Sequence, residues 1–182
     1  SGKDNVMSFV YHLGENYTYS LTEKLWYPKN HQSDFDYTDG TEVEENILSI
    51  LKSTNDLSSS SIELRNKITD WPTLYHLSPI RANLLRPFVS ELKGEILELG
   101  AGFGALTRFI AEQGGSILAV EGSAQRARGA SIRCTDLNNV YVLVDKFDRF
   151  SISTKFDVII MIGVLEYARK YFPKNEHQDG LR

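Results

Sequence analysis

Two carboxylates and three glycines are the residues of this chain best placed to do chemistry. Glu98 stands inside the apolar run of GEILELG, two residues before Gly100. Gly100, Gly102 and Gly104 make a G-x-G-x-G turn, and Glu121 ends the next apolar run about twenty residues on. Glycines in such a turn admit φ values and a close backbone approach that present N–H groups to a ligand. An acid at the end of the second strand can accept from both hydroxyls of a ribose. A carboxylate within a strand, beside a helix N-terminus, is costly to bury without a donor or positive partner. A ligand ammonium would be such a partner, so the arrangement suits a nucleotide-like molecule with a cationic end. The glycines also satisfy the looser G-x-G-x-x-A dinucleotide pattern through Ala105, so the turn alone does not choose the ligand. A ligand-free structural turn, and a solvated Glu121, are the plainer readings.

Further positions extend this set. Asp145 ends a third apolar run, where it can accept from an adenine amino group, although a turn-initiating aspartate fits equally. Gly163, between Ile162 and Val164-Leu165, follows a fourth run (FDVIIMI) at the same edge. His76, His177 and Glu166 are general-base candidates by type, and His76 is the one expected to be catalytic. No metal site is expected, because the four histidines and Cys134 lack ligand spacing. Neither a nucleophile elbow nor a phosphate-binding lysine loop is present.

These residues require a regular scaffold. Strands are expected at about 95–99, 116–121, 140–144 and 156–162. Helices are expected at 104–113, ending at Gly114-Gly115, and from Ser123 to about 133. Continuous apolar runs linked by helices predict a Rossmann-like, doubly wound parallel sheet covered on both faces, an α/β fold. Four strands are fewer than such a domain usually has. The expectation is a domain of residues 71–182 cut short after its fourth strand, preceded by an α+β appendage of residues 1–70. The alternative is that the N-terminal segment supplies a substitute edge. A bare edge favours self-association, so a homodimer is one expected partner state.

The appendage is less regular. Runs at 6–13 and 17–27 suggest a hairpin around Gly14-Glu15-Asn16, and Asp34–Gly40 an exposed turn. Thr41 with Glu44 reads as a capping box before a helix whose face carries Val43, Ile47, Ile50 and Leu51. Asn55–Ser61 reads as a linker. A short helix with Ile62, Leu64 and Ile68 should end at Trp71-Pro72. Ser78-Pro79 should start another, with Ile80, Leu84, Leu85 and Phe88 inward.

Composition sets the outer bounds. The chain has 182 residues, 41% of them hydrophobic and 11% aromatic, with a net charge of −4, which describes a globular protein. No Lys/Arg block marks a nucleic-acid or anionic-membrane surface. A single cysteine excludes an intramolecular disulfide and suits a reducing compartment, where Cys134 is expected as a small buried hydrophobe. With neither a secretory signal nor an 18-residue apolar run, the expected location is cytoplasmic, with no transmembrane segment.

ILELGAGFGALT, AVEGS and FDVIIMIGVLEYA, in this order and spacing over roughly residues 94–168, resemble the motifs of class I S-adenosylmethionine-dependent methyltransferases. The stretch WPTLYHLSPIRANLLRPF, with VEGS and IGVLEYA, resembles a bacterial subgroup found beside, or fused to, glycosyltransferases of surface polysaccharide synthesis. The family resemblance implies S-adenosyl-L-methionine as cofactor. It gives Glu98 the methionine amino end, Gly100 and Gly102 the backbone approach, Glu121 and the adjoining Gly122 the ribose, and Asp145 the adenine. The subgroup resemblance adds Tyr75, His76 and Arg81 closing over the cofactor, with Arg81 at its carboxylate. The implied reaction is methyl transfer to an oxygen or nitrogen, on a small molecule or a saccharide precursor. The alternatives are a nicotinamide-dependent oxidoreductase, against which Glu98 argues, and a non-catalytic binding or assembly module of a larger glycan-synthesis protein.

Overall fold

The computed structural model describes residues 8–30 and 41–164. Its second half alternates as the apolar pattern requires. Strand β3 (Glu95–Leu99) is followed by α5 (Ala105–Glu112), β4 (Ser116–Glu121), α6 (Ala124–Arg133), β5 (Val140–Val144) and β6 (Val158–Met161). These four strands are parallel and lie in the order β5-β4-β3-β6. The chain winds from β3 through β4 to β5 on one side, then returns to place β6 on the other side of β3. The carboxyl ends of β3 and β6 therefore bound a topological switch point, where open α/β sheets form their ligand crevice.

Among the described residues the sheet has six strands, two more than the apolar runs of the second half supply. Residues Tyr17–Ser20 (β1) and Leu25–Pro28 (β2) form an antiparallel hairpin, and β2 joins β5 with Trp26 opposite Leu143. The N-terminal segment thus provides an edge of the main sheet. The hairpin turns at 21–24, where Lys24 takes a left-handed φ of 55°. Gly14-Glu15-Asn16 instead ends a helix, α1 (Ser8–Asn16). Phe9 and Leu13, four apart, fall on one helical face and are both fully buried.

Strand alternation sorts the core into two faces. Ile96, Ile117 and Ile160 pack beneath Leu106, Phe109 and Ile110 of α5. Leu97, Leu118, Val120 and Leu143 point the other way, onto Phe9 and Leu13 of α1. Glu98 shares the α5 face with Ile96, which brings it beneath that helix. Coverage of both faces fails at β6, where Ile159 is 63% exposed among the described residues.

Above the α6 side stand α2 (Thr41–Ser53), α3 (Ile62–Arg65) and α4 (Trp71–Leu77). Ile47, Leu51, Leu64 and Leu77 join Phe103 in one buried cluster. Of the expected capping box, the Thr41 side chain and the 34–40 turn lie outside the described residues, while Glu44 is buried and bonded to Arg126. Residues 55–61 are not a free linker. Glu63 accepts the N–H groups of Asn55 and Asp56, Ser59 N–H donates to Glu112 of α5 at 3.0 Å, and Ser61 caps α3.

Trp71-Pro72 opens a helix instead of only ending one. Asp70 caps α4 by accepting from Thr73 N–H at 2.9 Å, and Pro72 sits in the first turn, where no intrahelical N–H is needed. Ser78 likewise caps the following segment, but Pro79–Leu84 is a 3₁₀ helix. Its three-residue period turns Ala82 and Leu85 inward and leaves Ile80, Leu84 and Phe88 exposed.

Candidate functional site

A cleft of about 310 Å³ opens at the carboxyl ends of β3, β4, β5 and β6, roofed by α4. Every residue expected at the ligand site lines it: Tyr75, His76, Arg81, Glu98, Gly100, Gly102, Glu121, Gly122, Asp145 and Gly163. His177, Glu166 and Leu165 lie outside the described residues. The described residues contain no cluster of His, Cys, Asp or Glu suited to a metal ion. No helix among them is long and apolar enough to cross a membrane.

Glu98 is 3% exposed. Its Oε2 accepts from the hydroxyl of Thr107, in the first turn of α5, at 2.6 Å. Burial pushes the carboxyl up to about 7, against the hydrogen bond from Thr107 and the positive charge of Arg81. Arg81 lies over the Tyr75 ring at 4.1 Å, a cation–π contact that fixes both side chains at the rim.

The glycines of the turn divide the work. At Gly102 (φ +57°) a Cβ would meet nothing within 4 Å, so open cleft lies beside its backbone. Gly104 (φ +77°) serves packing instead. A Cβ there would come within 2.8 Å of Ala130 Cα, so this glycine lets α5 lie close on α6. Glu121 is held from behind, accepting from Gly102 N–H at 2.7 Å and Ser123 N–H at 2.9 Å. Burial pushes its carboxyl up, opposed by the Ser123 hydrogen bond, the charge of Arg126 and the Gly102 hydrogen bond.

Asp145 accepts from its neighbour Lys146 N–H at 2.8 Å and from the Tyr17 hydroxyl at 2.9 Å. His76 is buried, edge-on to Tyr75 and to Phe103 (4.8 Å between centroids), and its carbonyl accepts from Arg133 at 2.7 Å. Its ring is a packed wall of the cleft. Sequence reasoning missed Thr107, Phe103, Arg126, Tyr17 and Trp71. Thr107 was within reach, because a hydroxyl in the first turn of α5 faces the end of the preceding strand. Tyr17 was not, since 128 residues separate it from Asp145.

Residues 97–178 match the family model of a methyltransferase domain. The doubly wound sheet of the chain has the fold of class I methyltransferases. Among solved structures, the chain is similar to a candidate S-adenosyl-L-methionine-dependent methyltransferase from Methanococcus maripaludis. That likeness has a TM-score of 0.51 at 18% identity and covers 83% of this chain and 61% of the other. A complex of DhpI with SAH is similar at TM-score 0.47 and 20% identity, over 78% of this chain and 62% of that one. The glycopeptide N-methyltransferase MtfA, complexed with sinefungin, is similar at 0.45 and 19%, over 55% and 42%. The chain therefore spans less than two thirds of the length of these structures. No curated protein matches it.

Proposed function

We propose that this chain binds S-adenosyl-L-methionine in the cleft and transfers its methyl group to an oxygen or nitrogen of an acceptor, with a saccharide precursor as the acceptor class. The observation that carries this reading is the buried Glu98, a carboxylate in an apolar strand whose cleft side calls for a cation. A methionyl ammonium meets that demand. The charged nitrogen of an oxidised nicotinamide ring carries no N–H to donate to it, so the oxidoreductase reading is not favoured.

In this reading Glu98 accepts from the ammonium, with Thr107 fixing its rotamer. Arg81, steadied on Tyr75, meets the carboxylate of the same amino-acid half. Glu121 receives the ribose hydroxyls beside Gly122, the Gly102 backbone borders the ligand, and Asp145 accepts from the adenine amino group, while Gly163, after β6, lines the cleft on the Gly100 side. When bound, the cofactor supplies an electrophilic methyl group for in-line displacement. The protein aligns the acceptor and excludes water. Those roles fall to α4, with Trp71 and Tyr75 at the rim and His76 in the wall as the candidate proton acceptor for a hydroxyl nucleophile. The acceptor class rests on the resemblance of WPTLYHLSPIRANLLRPF to the glycosyltransferase-associated subgroup. The same resemblance suggests a partner protein of glycan synthesis.

The test is thermal unfolding with S-adenosylmethionine, S-adenosylhomocysteine and NAD in parallel. A ligand at about 100 times its dissociation constant adds roughly 2.7 kcal/mol, or several degrees. Shifts with both S-adenosyl compounds and none with NAD support the reading; a shift with NAD alone overturns it. Acceptor class is then read by methyl transfer from labelled cofactor to nucleotide sugars against peptides and amines.

A further inference from the structure

Helix α6 contributes a buried arginine to the wall of the cleft. Arg126 is 8% exposed and lines the cleft beside Glu121 and Gly122. Its Nε donates to Oε1 of Glu44 at 2.8 Å, and Glu44, on α2, is 2% exposed. Packing α2 onto the core does not require this pair. Ile47 and Leu51 of the same helix are already fully buried, and apolar side chains in place of an ion pair would avoid its desolvation cost. The pair stands instead where α2, α6 and the cleft meet. Three charges follow in a row: Glu44, Arg126 and Glu121. Arg126 favours the ionised Glu121 carboxylate and Glu44 opposes it. Excluding water from the cleft strengthens each of these interactions.

We propose that Arg126 is a nucleoside-binding residue of this cleft and that Glu44 positions it, so that α2 forms part of the ligand site. The inference rests on the methyl-donor reading above, in which Glu121 meets the ribose. Arg126 then stands against the nucleoside half of the ligand, on the β4–α6 side of the cleft, whereas Glu98 and Arg81 serve its amino-acid half.

Calorimetric titration well below the unfolding midpoint tests this, with S-adenosylhomocysteine and with adenosine, which lacks the amino-acid half. Arg126→Met and Glu44→Gln should weaken both ligands by the same factor, roughly tenfold for one charge-assisted hydrogen bond. Arg126→Lys should recover part of the loss, and Glu98→Gln should weaken S-adenosylhomocysteine alone. A merely structural pair would leave the affinity of the folded protein unchanged. Wild-type adenosine affinity in Arg126→Met therefore overturns the proposal, and wild-type affinity in Glu44→Gln overturns the positioning role. If Arg126→Met does not fold, Arg126→Lys and Glu44→Gln carry the test, and unchanged affinity for both ligands in both variants overturns it. A wild-type protein that binds neither ligand overturns the methyl-donor reading itself, a separate outcome.

Discussion

Replacing Glu98 with glutamine should stabilise the unliganded protein at pH 8 and reduce its stabilisation by S-adenosylhomocysteine. In the unfolded chain this carboxyl loses its proton near its ordinary value of 4.5, whereas in the fold burial holds the proton until about 7. Between those values the folded state binds more protons than the unfolded one, so stability falls as pH rises through the window and stays lowered above it. At about 1.4 kcal/mol per pH unit, the interval amounts to roughly 3 kcal/mol. Glutamine carries no charge, and its Oε1 can still accept from Thr107. Glu98→Gln should therefore gain up to roughly 3 kcal/mol at pH 8 and almost nothing at pH 4.5. At about 2–4 °C per kcal/mol for a domain of this size, the pH 8 midpoint should rise by roughly 6–12 °C. The assay is thermal unfolding followed by circular dichroism, wild type against variant, at both pH values and with and without S-adenosylhomocysteine. The difference between the two proteins isolates Glu98 from the other carboxylates. Equal midpoints at pH 8, or the same difference at both pH values, would refute the reasoning from burial.

Other perturbations separate ligand contacts from packing. Gly104→Ala forces a Cβ against the α6 backbone at a left-handed φ, so the urea midpoint should fall by the equivalent of about 2 kcal/mol or more. Gly102→Ala meets open space and should cost only about 1 kcal/mol of stability, with a larger loss in cofactor titrations. Tyr17→Phe removes a hydroxyl bonded to Asp145 and should cost about 1 kcal/mol in denaturant unfolding while weakening adenosine binding. Arg108 joins Glu112 of its own helix to Asp136 and to the Arg133 carbonyl, so Arg108→Met should cost roughly 3 kcal/mol without altering the ratio of S-adenosylhomocysteine to adenosine affinity.

What was legible in advance follows the range of the interactions. The strands at 95–99, 116–121 and 140–144 coincide with β3, β4 and β5, because unbroken apolar runs between capped helices have one economical solution in a parallel sheet. All ten expected site residues line one cleft for a related reason: the crevice of a doubly wound sheet collects strand ends, and strand ends can be read locally. The N-terminal hairpin was misplaced because Phe9, Leu13 and Tyr17 repeat every four residues, a helical spacing, while their composition favours strands. Residues 55–61 resembled a linker because Glu63, which accepts from Asn55 and Asp56, and Glu112, which accepts from Ser59, lie outside the window that makes them look featureless.

The residues that remained hidden are those whose role another element assigns. Arg126 reads as a solvent-facing helix residue until α2 places Glu44 against it. Tyr17 reads as a hairpin aromatic until β2 docks on β5 and brings its hydroxyl to Asp145. Both contacts tie the N-terminal residues to the cleft, one above the sheet through α2 and one at its edge through β1. Binding a nucleoside should therefore protect amides well beyond the glycine turn. Native-state hydrogen exchange with and without S-adenosylhomocysteine measures this directly. Slowed exchange in α2 and β1, together with β3 and β4, is the expected pattern, because opening either N-terminal element would break a contact that the ligand uses. Protection confined to residues 95–164 would mean that the N-terminal elements pack on the domain without sharing its site.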